Sequence, residues 1–203
     1  AKVLSVANSA AYGFSHRIHD LNLAVSLLGL RETYAIVLSA SIVDLVSRFE
    51  RFDYRAFFLQ AVCCATAARI VAKAAGRRNL AGVFTAGLLH DVGHAALWEV
   101  VPQLCQKIEG ELSGQEMVDA ETQTLGISHA EAGYELATHW NLPHEIAESI
   151  RLHHSPNQAS RAPEHVAIVA LADAMVQVAG TSLEDNPDVF KELKDSMDLL
   201  GLD

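Results

Sequence analysis

Basic residues are scarce in this chain. Fifteen lysines and arginines stand against 25 aspartates and glutamates, a formal charge of −10. A surface of that sign repels phosphate backbones, so nucleic acid is not an expected partner. Cysteine is sparser still, with Cys63, Cys64 and Cys105 only. An odd, small number builds no disulfide framework, which fits a reducing, cytoplasmic setting. Cys63 and Cys64 would point about 100° apart on a helix and are poorly placed to pair; all three read as small core residues. No uninterrupted apolar run reaches the roughly 18 residues of a membrane span, and the start shows no signal-peptide pattern, so no membrane partner is expected. Five prolines and 12 glycines in 203 residues are too few for a disordered or linker-like chain. There is no convincing alternating run with turn punctuation, which removes a sheet.

What is present is helical periodicity almost throughout, and the expected class is all-α, a compact multi-helix bundle. Ala1–Ala11 reads as the end of a helix stopped by Gly13, and its uncapped, core-like opening suggests that N-terminal helices precede it. A short helix follows Asp20 and stops at Gly29. Residues 31–48 form a longer one, and Asp53 caps a strong helix closed by Gly76. Residues 79–100 read as one apolar helical run interrupted at Pro102. Ser113 with Glu116, and Ser128 with Glu131, match the capping box. Asn186–Pro187 pairs a cap with a first-turn proline, and Pro143 and Pro163 open helices. Residues 180–187 are the nearest thing to a linker. The expected organisation is therefore a domain over 1–180 and a helix over 181–203 that packs on it or leads to a further domain.

Histidine carries the chemical signal. GLLHDVGH places His90 beside Asp91 at the end of an apolar run, and an imidazole beside a carboxylate is a natural pair for a divalent metal. Further candidates are His129 in ISHAEAG, His153 and His154 in RLHHSP, and Asp173 in AIVALADAMV. A carboxylate in so apolar a stretch is costly unless paired or metal-bound. Adjacent helical residues diverge, so one of His153 and His154 should face inward and the other solvent. His129 has a plainer reading as a cap, and the His90–Asp91 doublet as a buried polar pair. His16, His19, His139, His144 and His165 read as surface or cap residues, and Trp98 and Trp140 as core fillers.

The order of these residues resembles the HD superfamily of metal-dependent phosphohydrolases. A narrower resemblance is to the HDOD family. It rests on VLSVANSAAYGFSHRIHDLNLAVSLLGL, FTAGLLHDVGHAAL, ETQTLGISHAEAGYELATHWNLPHEIAESIRLHHSP and the ALADAM stretch, in that order. The superfamily resemblance implies a metal site of His90, Asp91, His129, His153, His154 and Asp173, holding one or two divalent ions (iron, manganese or zinc) that activate water against a phosphoester. The HDOD resemblance implies an output or scaffold module of bacterial signalling. Such a module is non-catalytic and acts on signalling proteins or fused regulatory domains, with a homodimer compatible. The alternative is a phosphodiesterase or nucleotide hydrolase with Asp91 and His94 in the catalytic machinery. Three departures from the superfamily weigh against turnover. The histidine expected before the doublet aligns with Gln60, a weak substitute ligand. The lysine expected three residues after Asp91 is His94. And no Gly-Tyr-Pro motif follows the paired histidines, which removes support for cyclic di-GMP hydrolysis.

Overall fold

A computed structural model of the chain describes residues 4, 7–8, 16–46, 53–77, 80, 82–108, 112–179 and 187–202, and no strand occurs among them. The all-α expectation therefore holds for the described residues. The chain divides into two compact units, Ala1–Arg48 and Phe49–Asp203.

In the first unit, helix α1 spans Leu21–Val46 and is broken at Gly29 (φ 80°, ψ 159°). The predicted stop is thus a kink between two helical stretches. Asp20 caps its start, accepting from the Leu23 N–H at 2.8 Å. The Asn8 side chain donates to the carbonyls of Leu4 and Ile18, and its Oδ1 accepts from the Ile18 N–H, each at 2.7 Å. This pins the segment that leads into α1. Ala7, Ile18, Ala24 and Ile36 form the small core beside it. The predicted helix over Ala1–Ala11 lies mostly outside the described residues.

The second unit begins with α2 (Tyr54–Ala74), whose cap Asp53 accepts from the Arg55 and Ala56 N–H groups at 3.1 Å. α2 is long and apolar enough to cross a membrane by length and composition; here it packs against other helices of its unit. The run 79–100 is not one helix. It splits into α3 (Val83–Leu89) and α4 (Val92–Val100). The break falls at Asp91 (φ −101°, ψ 13°), so the doublet occupies a turn where both its side chains can face the same interior. α5 (Pro102–Cys105), α6 (Gly114–Leu125), α7 (His129–His139), α8 (His144–Leu152), α9 (Pro163–Val178) and α10 (Pro187–Leu200) follow.

The caps divide. Ser128 accepts from the Glu131 N–H at 3.2 Å, but Glu131 does not reciprocate; it forms a bidentate pair with Arg151 at 2.8 and 3.0 Å. Ser113 makes no side-chain cap bond. Asn186 and the 180–186 stretch lie outside the described residues. α9 is the central element, packed on α2, α8 and α10, and Val166 to Ala174 along it are all buried. A helix apolar on every side needs neighbours on every side.

Two glycines set the approach of helices around the pocket. A Cβ at Gly93 would lie 1.9 Å from the His129 carbonyl oxygen, and one at Gly87 2.8 Å from the Ala65 Cα. No side chain fits at either place, so α4 meets α7, and α3 meets α2, at backbone distance. Cys64 and Cys105 are buried as expected, but Cys63 is exposed. The reason is the 100° step of the helix: the face that buries Ala61, Cys64, Ala65 and Ala68 turns Cys63 outward.

Candidate metal centre

Six sequence-predicted residues meet in one interior of the second unit. His90, His129 and His153 are fully buried and Asp173 is 1% exposed. Asp91 and His154 lie at its less buried side. The doublet comes from the α3–α4 turn, His129 from the first turn of α7, the histidine pair from the end of α8, and Asp173 from the middle of α9.

The hydrogen bonds fix how each ring is turned. His90 Nδ1 donates to the Gly87 carbonyl at 2.8 Å, and His153 Nδ1 to the Ile150 carbonyl at 2.9 Å. His129 Nδ1 donates to Glu121 Oε2 at 2.6 Å, and the same oxygen accepts the His129 backbone N–H at 2.7 Å. In His129 and His153 the Nε2 lone pair is therefore left to face the pocket. His129 Nε2 and His153 Nε2 lie 3.5 and 3.4 Å from Asp91 Oδ1. These three atoms are buried and make no hydrogen bond. Lone pairs facing a carboxylate oxygen across such gaps repel one another unless a cation lies between them. Donors about 2.1 Å from a tetrahedral ion are about 3.4 Å apart, so the spacing suits one. Asp91, His129, His153 and His154 each offer a ligand atom within 4.8 Å of the others.

Deeper in, His90 Nε2 faces two carboxylates, Asp173 Oδ1 and Asp91 Oδ2, both at 3.2 Å. Asp173 Oδ2 accepts from the Gln177 amide. Cys64 joins this side: its thiol, His90 and Asp173 also offer ligand atoms within 4.8 Å of one another, all three buried. Asp91 thus turns one oxygen to each group.

Protonation follows the same division. Burial alone would lower the pKa of His90, but the facing Asp91, then Cys64 and Asp173, hold it well above the ordinary value. Burial pushes His129 down to about 3 and His153 to about 4, outweighing their carboxylate contacts. Both stay neutral and keep a lone pair for a metal. Burial would raise Asp91 and Asp173, but His90 outweighs it in both and holds them low. Glu121 falls to about 2 against its own burial, because His129 and His94 both hydrogen-bond it. Burial raises the Cys64 thiol, His90 opposing.

Glu121 and Cys64 are absent from the sequence-predicted set. Glu121 is 3% exposed and orients His129 in the carboxylate–histidine manner of metal sites. Its position had a signal: it falls among Met117, Val118 and Leu125 on one face of α6, where a carboxylate needs a reason. Cys64 had none beyond its place on a small-residue face. Gln60 is half-buried one turn before Cys64; the residue of α2 that stands with His90 and Asp173 is Cys64. His94 Nδ1 lies 3.1 Å from Glu121 Oε1, and its ring stacks on His129 with centroids 4.0 Å apart. Of the two adjacent histidines, His153 is buried and His154 half-buried. His16, His19, His139 and His144 are exposed, and His165, Trp98 and Trp140 half-buried.

A family model described as HDOD domain matches residues 1–156. An uncharacterized protein of Treponema pallidum (strain Nichols) is 27% identical over 86% of this chain. The chain spans about a third of that relative, 35% of its length. An HDOD domain protein of unknown function from Geobacter sulfurreducens is 26% identical, with a TM-score of 0.72 over 100% of this chain and 72% of that one. A candidate signal transduction protein from Marinobacter aquaeolei VT8 is 25% identical, with a TM-score of 0.70 over 100% of this chain and 46% of that one.

Proposed function

Since this chain belongs to the HDOD domain family, we propose that it is a signal-transduction module that holds divalent metal in its histidine–aspartate pocket and acts through protein or domain partners, without turnover. One observation carries the metal: three buried donor atoms, Asp91 Oδ1, His129 Nε2 and His153 Nε2, face each other with no hydrogen bond. Native interiors rarely leave such groups unsatisfied. His154 would complete this ligand set, and His90 and Asp173 belong to the other. The metals whose ligands these are, iron, manganese or zinc, supply Lewis-acid charge when bound.

The reading without turnover rests on His94. In the superfamily the corresponding lysine would be free to meet phosphate. Here the ring is engaged inward, on Glu121 and on His129, so it serves to orient the pocket. The similarity to a candidate signal transduction protein supports the partner-binding role. A second reading, a metal-dependent phosphohydrolase, has one observation in its favour: Asp91 is 13% exposed and His154 half-buried, so that side of the pocket reaches towards solvent.

Purified protein should carry iron, manganese or zinc by elemental analysis. Asp91→Ala, which removes an oxygen from both ligand sets, should lose it by more than about 100-fold in affinity, beyond the effect of a ligand's supporting partner. Neither protein should hydrolyse phosphodiesters or nucleotides under divalent metals. Robust hydrolysis that vanishes in Asp91→Ala would transfer the chain to the second reading. Absence of metal after reconstitution would end both.

A further inference from the structure

We propose that Cys64 is a metal ligand, and that its thiolate makes the inner half of the pocket a site for thiophilic ions such as zinc, cobalt or ferrous iron over magnesium or manganese. This rests on the metal-binding reading above and deepens it.

The donors are assembled around the thiol. Cys64 and His90 are 0% exposed and Asp173 1%, and their ligand atoms lie within 4.8 Å of one another. Every other polar atom of His90 and Asp173 is already committed. His90 Nδ1 donates to the Gly87 carbonyl and Asp173 Oδ2 accepts from Gln177. His90 Nε2 and Asp173 Oδ1 hydrogen-bond each other at 3.2 Å, with Asp91 Oδ2 also 3.2 Å from the ring nitrogen, and a metal ion would take the place of the proton they share. Adding the Cys64 sulfur gives three mutually close donors from three elements, one sulfur, one nitrogen and one carboxylate oxygen, with Asp91 Oδ2 beside the nitrogen. Thiolate, imidazole and carboxylate are the donor types of protein zinc sites. Soft thiolate selects zinc and iron, whereas manganese and magnesium prefer all-oxygen surroundings.

A core-filling cysteine would sit among apolar neighbours. This one shares its surroundings with an imidazole and an interior carboxylate. Its helix also comes unusually close: Ala65, the next residue, meets Gly87 at a distance that admits no Cβ. That contact brings the start of the α3–α4 turn down onto the sulfur-bearing face of α2. Neighbouring Cys63 is exposed, turned about 100° away round the helix.

The test is a cobalt titration of the full chain after metal removal. Cobalt reports ligand type: visible bands show a bound ion, and a near-ultraviolet sulfur-to-cobalt charge-transfer band shows thiolate. The Cys63→Ser/Cys105→Ser double variant leaves Cys64 as the sole thiol of the three cysteines, and it should keep both features. Cys64→Ser should lose the charge-transfer band, keep visible bands, and lose about tenfold or more of the preference for zinc over manganese. Visible bands without charge transfer in the double variant would overturn the thiolate and leave the metal reading standing. No cobalt spectrum in any form would overturn both. A charge-transfer band that survives in Cys64→Ser would also overturn the proposal. Should Cys64→Ser fail to fold, the double variant alone decides.

Discussion

The two sides of the pocket use the same residue types to opposite ends. On the inner side, one imidazole faces two carboxylates, and His90 is held protonated despite its burial. On the outer side, two imidazoles face a single carboxylate oxygen, and His129 and His153 are held neutral. The difference is the ratio of carboxylate to imidazole, with burial common to both. Where carboxylate oxygens outnumber rings, a proton can stand in for a metal ion. Where rings outnumber oxygens, burial excludes the proton, and the lone pairs stay open. The outer side is therefore the side with unsatisfied atoms.

The largest expected effect is on protonation itself. In metal-free protein at neutral pH, nitrogen-resolved NMR should show His90 carrying both ring protons, while His129 and His153 carry only the Nδ1 proton. Below neutrality, His129 and His153 should titrate near 3 and 4. The stability consequences have opposite signs. A histidine with a lowered folded pKa contributes stability that is present above its unfolded value, about 6.5, and is lost as pH falls towards 3 or 4. His90, with a raised folded pKa, contributes stability that is complete below about 6.5 and lost as pH rises through its folded value. Denaturant unfolding of the metal-free protein across pH should show both limbs. A neutral His90 at pH 7 would erase the contrast.

A smaller effect should separate the sides by metal affinity. Glu121 touches only the outer one: it holds His129 through both the ring and the backbone N–H, and it pairs with His94. Glu121→Ala should weaken the outer ion about 10–100-fold, the usual range for removing a ligand's supporting carboxylate. Glu121→Gln keeps an acceptor for the ring and should fall at the lower end. The inner ion should be unmoved in both, read by stepwise calorimetric titration. Equal losses on the two sides would show that they bind as one unit.

The sequence made the outer side easier to read than the inner one. Histidines in helical stretches advertise themselves, and His129, His153 and His154 needed only the fold to bring them together. Asp173 was legible because a carboxylate inside AIVALADAMV has no cheap explanation. Cys64 was illegible for the converse reason: a cysteine among alanines is an ordinary core residue until a histidine and an aspartate are found against it. Gln60 drew attention one turn too early on the same helix, and a shift of four residues along α2 keeps the same face. The split of residues 79–100 was hidden because the turn at Asp91 uses no proline or glycine of its own. The broken helix is nevertheless what presents both members of the doublet to one interior. Glycines were informative in the other sense. Gly93 sat inside a helical run without a local reason, and the reason is the His129 carbonyl that crosses it.

The smallest expected effect lies outside the pocket, on the frame that joins its two sides. Glu148 stands on α8, the helix that ends at His153. Its carboxylate accepts the backbone N–H groups of Ser160, Arg161 and Ala162, the approach to α9 and thus to Asp173. Burial would raise its pKa, but those three N–H groups outweigh burial and lower it. Its contribution is therefore present above the ordinary carboxylate range near 4 and is lost as pH falls through the lower folded value. Glu148→Gln should lower the melting temperature slightly at neutral pH and flatten its decline on acidification, because the group that titrates is gone. Metal affinity on both sides should stay within about twofold of the parent, since no ligand or ligand-orienting bond changes. A selective loss on the inner side would mean that the position of α9 is set from this cap. The inner site would then depend on the α8–α9 connection as much as on its own donors.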